Sequence, residues 1–180
     1  MIIEHRVLLP SCFDFKPDFE FDPPVTRLDP KTNRMLVGRP TKGFGDSDFA
    51  YAGKVLKCAP WSTSSAVSKL KEVVEHEFKV HVEYVLIGYY EDGSTGIPFH
   101  FDEMKADQDL IINLSFGDPR LFRVKWEESQ EIDNYIIKNG EVLVFDGEAN
   151  KLMQHDVPSL KGISGKRYSL TFRTVNRNDK

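Results

Sequence analysis

The stretch "PFHFDEM" at residues 98–104 sets His100 and Asp102 two positions apart. In an extended chain alternate side chains share a face, so an imidazole and a carboxylate at this spacing project together and can grip one ion. A third donor has to come from elsewhere in the chain. His76 lies between Glu75 and Glu77, His81 stands where a helical pattern ends, and His5 is close to the N-terminus. By elimination His155, in "LMQHDVP", is the best remaining candidate. Two imidazoles and one carboxylate leave open coordination positions, as in the facial triad of non-haem Fe(II) oxygenases. Taken alone, the His-x-Asp pair also fits a surface histidine beside a turn aspartate, and His155 also fits an ordinary loop histidine.

The stretch "KRYSLTFRTV" (166–175) adds a second constraint. Read as a strand, it places Tyr168, Leu170 and Phe172 on one face and Arg167, Ser169, Thr171 and Arg173 on the other. Burying an unpaired guanidinium costs on the order of several kcal/mol. A strand that aims two of them inward therefore requires an anion, and arginine is suited to gripping a carboxylate with two parallel N–H groups. Beside an iron site with open positions, a dicarboxylate cosubstrate that also chelates the metal meets both needs, and 2-oxoglutarate is that molecule. The alternative pairs Arg167 with a protein acid and leaves Arg173 in solvent. His100, Asp102, His155, Arg167 and Arg173 taken together favour the cosubstrate.

These residues need elements to hold them. Pro23, Pro24, Pro30, Pro40 and Pro60 forbid long helices in the first sixty residues, which read as loops and short strands. Ala66, Val67, Leu70, Val73, Val74 and Phe78 then recur at helical spacing, predicting a helix over 63–79 capped by Ser62 or Thr63. Strands are predicted at 82–90, 98–103, 109–116, 121–126, 141–145 and 167–175, punctuated by Gly-Asp-Pro, Asn-Gly and Asp-Gly turns. Many short strands after one helix predict a mainly β fold, a jelly roll with the helix bracing one sheet from outside.

With 180 residues the chain suits one domain, divided into a segment 1–61 and a core 62–180. A formal charge of −4 argues against wholesale electrostatic binding of nucleic acid. A local basic stretch nevertheless runs through Arg27, Lys31, Arg34, Arg39 and Lys42, where a phosphate backbone could pass. Cys12 and Cys58 match no zinc or redox spacing, and no apolar run reads as a signal peptide or membrane span. An intracellular, reducing location, no membrane partner and a monomer are expected.

The order "RPTKGFGD", "FAYAG", "PW", "VLIGYYEDG", "IPFHFD", "NLSFGDPRLF", "NGEVLVFDG", "QHDVP", "RYSLTFR" resembles the AlkB family of Fe(II)- and 2-oxoglutarate-dependent dioxygenases from about Arg39 to Arg173. The resemblance implies a double-stranded β-helix with an N-terminal lid over the substrate. It implies iron held by His100, Asp102 and His155. Arg167 would form a salt bridge to the distal carboxylate of 2-oxoglutarate, Tyr90 would hydrogen-bond the same group, and Arg173 would act nearer the metal. In the lid, Phe44 and Tyr51 are candidates to stack on a flipped base, and Trp61 is expected to be structural.

Three positions depart from the family pattern. Gly88 and Ser169 stand where many relatives carry Asn, which predicts weaker cosubstrate affinity, by about 0.5–1.5 kcal/mol for a lost hydrogen bond. Met104 stands where several repair members carry an acid that reads the base. The implied reaction uses dioxygen to demethylate N-alkylated bases in DNA or RNA, releasing formaldehyde, succinate and CO2. Two alternatives stand beside it: the same chemistry on a protein or an unmodified base, and a non-redox, cupin-like metal-binding module.

Overall fold

The computed structural model describes residues 1–28, 33, 35–51, 54–104, 106–107 and 109–175, without the side chains of 27, 36, 49–51, 54 and 56. The elements run in chain order as β1 (Ile3–Val7), β2 (Thr26–Leu28), β3 (Met35–Val37), β4 (Thr41–Gly45), β5 (Phe49–Tyr51), β6 (Lys54–Leu56) and β7 (Cys58–Ala59). A 3-10 turn at Trp61–Thr63 leads into α1 (Ser65–Phe78). Then come β8 (His81–Tyr90), β9 (Ile97–His100), β10 (Leu110–Gly117), β11 (Arg120–Trp126), β12 (Ile132–Ile137) and β13 (Glu141–Asp146). The short helix α2 (Gly147–Leu152), β14 (Met153–Val157) and β15 (Arg167–Val175) complete the order.

The larger sheet has the order β1-β13-β10-β15-β8-β4-β7, and the smaller one β12-β11-β14-β9. β2 pairs with β3 and β5 with β6 as separate hairpins. The architecture is the expected jelly-roll-like β sandwich. Two strands of its larger sheet, β13 and β8, read as apolar on both faces because each alternates between two cores. Along β13, Val142 and Val144 join one cluster with Val67, Leu70 and Val74 of α1, while Leu143 and Phe145 join another with Phe122, Val124 and Met153 of the smaller sheet. The near-continuous apolar run of β8 has the same origin: Val85 and Ile87 face the first cluster and Tyr90 the second.

Helix α1 begins one or two residues later than the sequence suggests. Ser64 is the N-cap, with extended backbone, and its hydroxyl accepts the Val67 N–H at 3.1 Å. The reason is tertiary. Asp18 comes over from the N-terminal segment, accepts a hydrogen bond from the Ser64 hydroxyl, and takes the Ser65 and Ala66 N–H groups at 2.9 and 3.3 Å. Lys79, with φ of 55°, closes the helix in the left-handed region.

The N-terminal segment does more than cover the core. β1 pairs with β13 and β4 with β8, so both are members of the larger sheet. Three elements after α1 went unread in the sequence, the edge strand β12, the helix α2 and the strand β14 that carries His155. No helix among the described residues is long and apolar enough to cross a membrane.

Candidate metal centre and its arginine pocket

β9 and β14 run antiparallel with His100 directly opposite His155, which brings their ring centroids to 4.3 Å. The pairing is irregular between His155 and Val157. β9 ends at His100, so Asp102 lies beyond the strand rather than within a 98–103 strand. Its backbone is pinned by Asn150 of α2, whose amide accepts the Asp102 N–H at 3.1 Å and donates to the Asp102 carbonyl at 2.8 Å. This clamp leaves Asp102 Oδ1 3.6 Å from His100 Nε2 and Oδ2 3.4 Å from His155 Nε2.

The three donor atoms lie within 4.8 Å of one another, and among the described residues this is the one such group able to hold a metal ion. The protonation pattern suits that task. His100 Nδ1 lies 2.9 Å from the Pro98 carbonyl, which can only accept, so Nδ1 carries the hydrogen and Nε2 presents its lone pair. Burial pushes the His155 imidazole down, toward the neutral form that ligates, against the pull of Asp102. Its ring is stacked on Phe122 at 5.3 Å with 10° between planes. Burial alone would raise the Asp102 carboxyl, but Arg173 at 2.8 Å, with His100 and His155, holds it well below the usual carboxylate range. An ionised carboxylate beside a His155 imidazole held toward its neutral form suits a divalent cation.

A cavity of about 290 Å³ opens at these residues and runs past Asn113, Ser169 and Thr171 to Tyr90. Near Tyr90 lies Arg167, fully buried and paired in register with it. Its Nη2 donates to the Ser115 hydroxyl at 2.9 Å, while Nε and Nη1 have no partner. The guanidinium carbon lies 5.0 Å from the centre of the Tyr90 ring, and the buried Tyr90 hydroxyl also lacks a partner. No carboxylate pairs with Arg167 among the described residues, whereas Arg173, expected in the alternative to lie in solvent, is paired with Asp102 at 2.8 Å. Burial pushes this guanidinium down and Tyr90 pulls it up, while Arg39 and Arg120 repel it. Each unpaired buried donor costs about 1–3 kcal/mol, more when charged. These orphaned donors fit the carboxylate of a bound anion, and the His/Asp/His set beside them fits a metal.

Asn113 and Ser169 face the cavity from neighbouring strands, and the Ser169 hydroxyl donates to Asn113 Oδ1 at 3.0 Å. The space beside Gly88 is taken by Arg39, whose Nε would stand 2.1 Å from a Cβ built there. Arg39 therefore belongs to the cavity wall rather than to a solvated basic stretch. Lys42 pairs with Asp22 at 3.0 Å. Lys31 and Arg34, and the side chain of Arg27, lie outside the described residues. Met104 packs against the second core cluster.

Phe44 requires a correction as a substrate contact. It is 1% exposed and packs edge-on to Phe19 at 5.0 Å in the cluster beside α1, on the face of β4 that turns away from the cavity. The side chain of Tyr51 lies outside the described residues. Trp61 is structural, donating its indole N–H to Asp46 at 2.9 Å. Sequence reasoning missed Asn150, Ser115 and the placement of Arg39. Each acts through a contact made across long sequence separations, and none carries a local signal.

Residues 26–173 match the 2OG-Fe(II) oxygenase superfamily. The chain is 26% identical over 167 residues to Uncharacterized protein R406 of Acanthamoeba polyphaga mimivirus, covering 86% of each. It is 24% identical over 149 residues to DNA oxidative demethylase ALKBH2 of Homo sapiens, covering 77% of this chain and 57% of that protein. It is 25% identical over 154 residues to Alpha-ketoglutarate-dependent dioxygenase alkB homolog 3 of Rattus norvegicus, covering 76% and 50%. The chain thus spans about half the length of these mammalian relatives. The superfamily match takes in His100, Asp102, His155, Arg167 and Arg173 together, and the chain belongs to the 2OG-Fe(II) oxygenase superfamily as an AlkB-like dioxygenase dependent on Fe(II) and 2-oxoglutarate.

Proposed function

We propose that this dioxygenase demethylates N-alkylated bases of DNA or RNA, with release of formaldehyde, succinate and CO2. The observation that carries the site assignment is the buried Arg167, with two unpartnered guanidinium nitrogens, against Tyr90 at the wall of a cavity that opens on two imidazoles and a carboxylate. His100 and His155 through Nε2, and Asp102 through its carboxylate, would hold Fe(II). Arg167 and the Tyr90 hydroxyl would take the distal carboxylate of 2-oxoglutarate. Bound there, Fe(II) with 2-oxoglutarate supplies the oxygen-dependent oxidation of a substrate C–H bond, coupled to decarboxylation of 2-oxoglutarate to succinate.

The remaining work belongs to the protein. Arg173 keeps Asp102 ionised and oriented, and Asn150 holds its backbone. Phe122 stacks on His155 and limits its rotation. The apolar walls exclude water from the reacting centre. Tyr84, Phe99 and Phe101 line the cavity near the metal ligands, and Phe101 is 44% exposed, so aromatic faces are available to a flat substrate. The hairpins β2–β3 and β5–β6, the second of which contains Tyr51, would form the lid.

The nucleic-acid substrate is supported by the likeness to a DNA oxidative demethylase and to an alkB homologue. One observation favours a second reading, the same oxidation on a protein or an unmodified base: Met104, where the family resemblance leads one to expect a base-reading acid, offers no acidic group and packs against the second core cluster. A panel of methylated DNA, RNA and peptide substrates, with formaldehyde and succinate measured together, separates the two. Stoichiometric formaldehyde from an oligonucleotide is expected. Formaldehyde from the peptide alone, or succinate without formaldehyde from any methylated base, overturns the proposal.

A further inference from the structure

Gly88 lies inside β8, two residues from its end, between Thr41 of β4 and Ser169 of β15. A strand interior gains nothing from glycine, which has no side chain to pack, so its presence marks a close approach by another group. That group is Arg39. A Cβ on Gly88 would stand 2.1 Å from Arg39 Nε and 3.0 Å from both Cδ and Cζ, so no other residue at 88 leaves Arg39 where it is. The backbone beside Arg39 is anchored, because the Pro40 carbonyl accepts the Tyr89 N–H at 2.9 Å. The Arg39 guanidinium carbon lies 5.0 Å from the centre of the Tyr90 ring, the same distance as that of Arg167, and Arg39 lines the cavity that contains the metal ligands.

We propose that Arg39, admitted by Gly88, is a second cosubstrate-binding guanidinium, which joins Arg167 around Tyr90 to hold the carboxylate of 2-oxoglutarate. This rests on the reading of the cavity as the 2-oxoglutarate site. Arg39 and Arg167 repel one another, and an anion between them relieves that repulsion. The glycine then carries no penalty for the cosubstrate. A neutral side-chain hydrogen bond at position 88 is exchanged for charge-assisted ones from a planar fork, which are roughly twice as strong.

The test is anaerobic calorimetric titration of 2-oxoglutarate into the Fe(II)-loaded protein, with Fe(II) affinity measured separately. Arg39→Ala is expected to weaken 2-oxoglutarate binding about ten-fold or more, as loss of a charge-assisted contact should, with Fe(II) affinity unchanged. Gly88→Ala, which displaces Arg39 without removing it, is expected to weaken binding by a similar factor. The double variant should be no weaker than either single one, because both remove the same contact. Arg39→Lys, which keeps the charge but not the fork, should fall between wild type and Arg39→Ala. Wild-type affinity in Arg39→Ala, or effects of Gly88→Ala and Arg39→Ala that multiply, overturns the assignment. Should Gly88→Ala fail to fold, Arg39→Ala and Arg39→Lys decide. Wild-type protein that does not bind 2-oxoglutarate, or Arg167→Ala that binds it as tightly as wild type, overturns the cavity reading as well. Normal loss in Arg167→Ala with none in Arg39→Ala overturns the role of Arg39 alone.

Discussion

The two faces of β15 follow opposite rules. On the face toward α1, Leu170 and Phe172 are fully buried among apolar neighbours, and Tyr168 meets Phe15 edge-on and stacks on Phe21. On the other face Arg167 is equally buried, yet two of its guanidinium nitrogens have no partner. A second buried arginine marks the contrast. Arg120 sends Nη2 to the Gly165 carbonyl at 3.0 Å and Nη1 to the Pro119 carbonyl at 3.5 Å, leaving only Nε without a partner, a structural use of the same side chain. The helix-side face is built for stability. The cavity face carries Arg167, whose remaining donors are left for a partner from outside, and such local inconsistency is where function is expected.

That contrast can be broken at several points. Asp102→Ala or His100→Ala should eliminate succinate formation, since a two-ligand site no longer holds the metal. Unchanged turnover in either variant would remove the metal assignment. Leu170→Ala should cost about 2–5 kcal/mol in denaturant unfolding, with 2-oxoglutarate affinity in the folded fraction unaltered. Arg167→Met should do the reverse. It should abolish tight 2-oxoglutarate binding while leaving the stability of the cofactor-free protein unchanged or higher, because a buried charge with too few partners is replaced by an apolar chain of similar volume. A large stability loss in Arg167→Met would mean that the guanidinium is structural, like that of Arg120.

A smaller effect is expected at the helix start. Ser64→Ala should cost about 1 kcal/mol, the usual value of an N-cap. Asp18 makes the same region sensitive to pH. The Ser64 hydroxyl, with the Ala66 and Ser65 N–H groups, holds its carboxyl below the ordinary value of 3.8. The folded state therefore favours the ionised form. Its contribution is complete above that ordinary value and disappears as pH falls through the lowered one. Asp18→Asn should accordingly be less stable than wild type at neutral pH, and the gap should close in acid. A gap that persists below the titration of both forms would show that the carboxylate charge is not what matters.

Much of the site was legible because it obeys local periodicity. The alternation in "RYSLTFR" already placed Arg167 and Arg173 on one face, and it did so whatever the strand paired with. The spacing of His100 and Asp102 was informative for a different reason from the one expected. The strand stops at His100, and Asn150, 48 residues along the chain, orients the aspartate. Phe44 was misread because aromatic composition cannot tell which face of β4 meets the core. The helix cap moved to Ser64 because Asp18, 46 residues away, supplies the acceptor there.

The chain's residue types and two-residue period determined the donor chemistry, two imidazoles, one carboxylate and a pair of inward arginines. Which of these meet was decided by strand register: β14 against β9 set His155 opposite His100, and β4 against β8 brought Arg39 into the space beside Gly88. A period is a property of one strand, whereas register is a property of two, and a slip of one residue would have turned every one of these side chains to the opposite face.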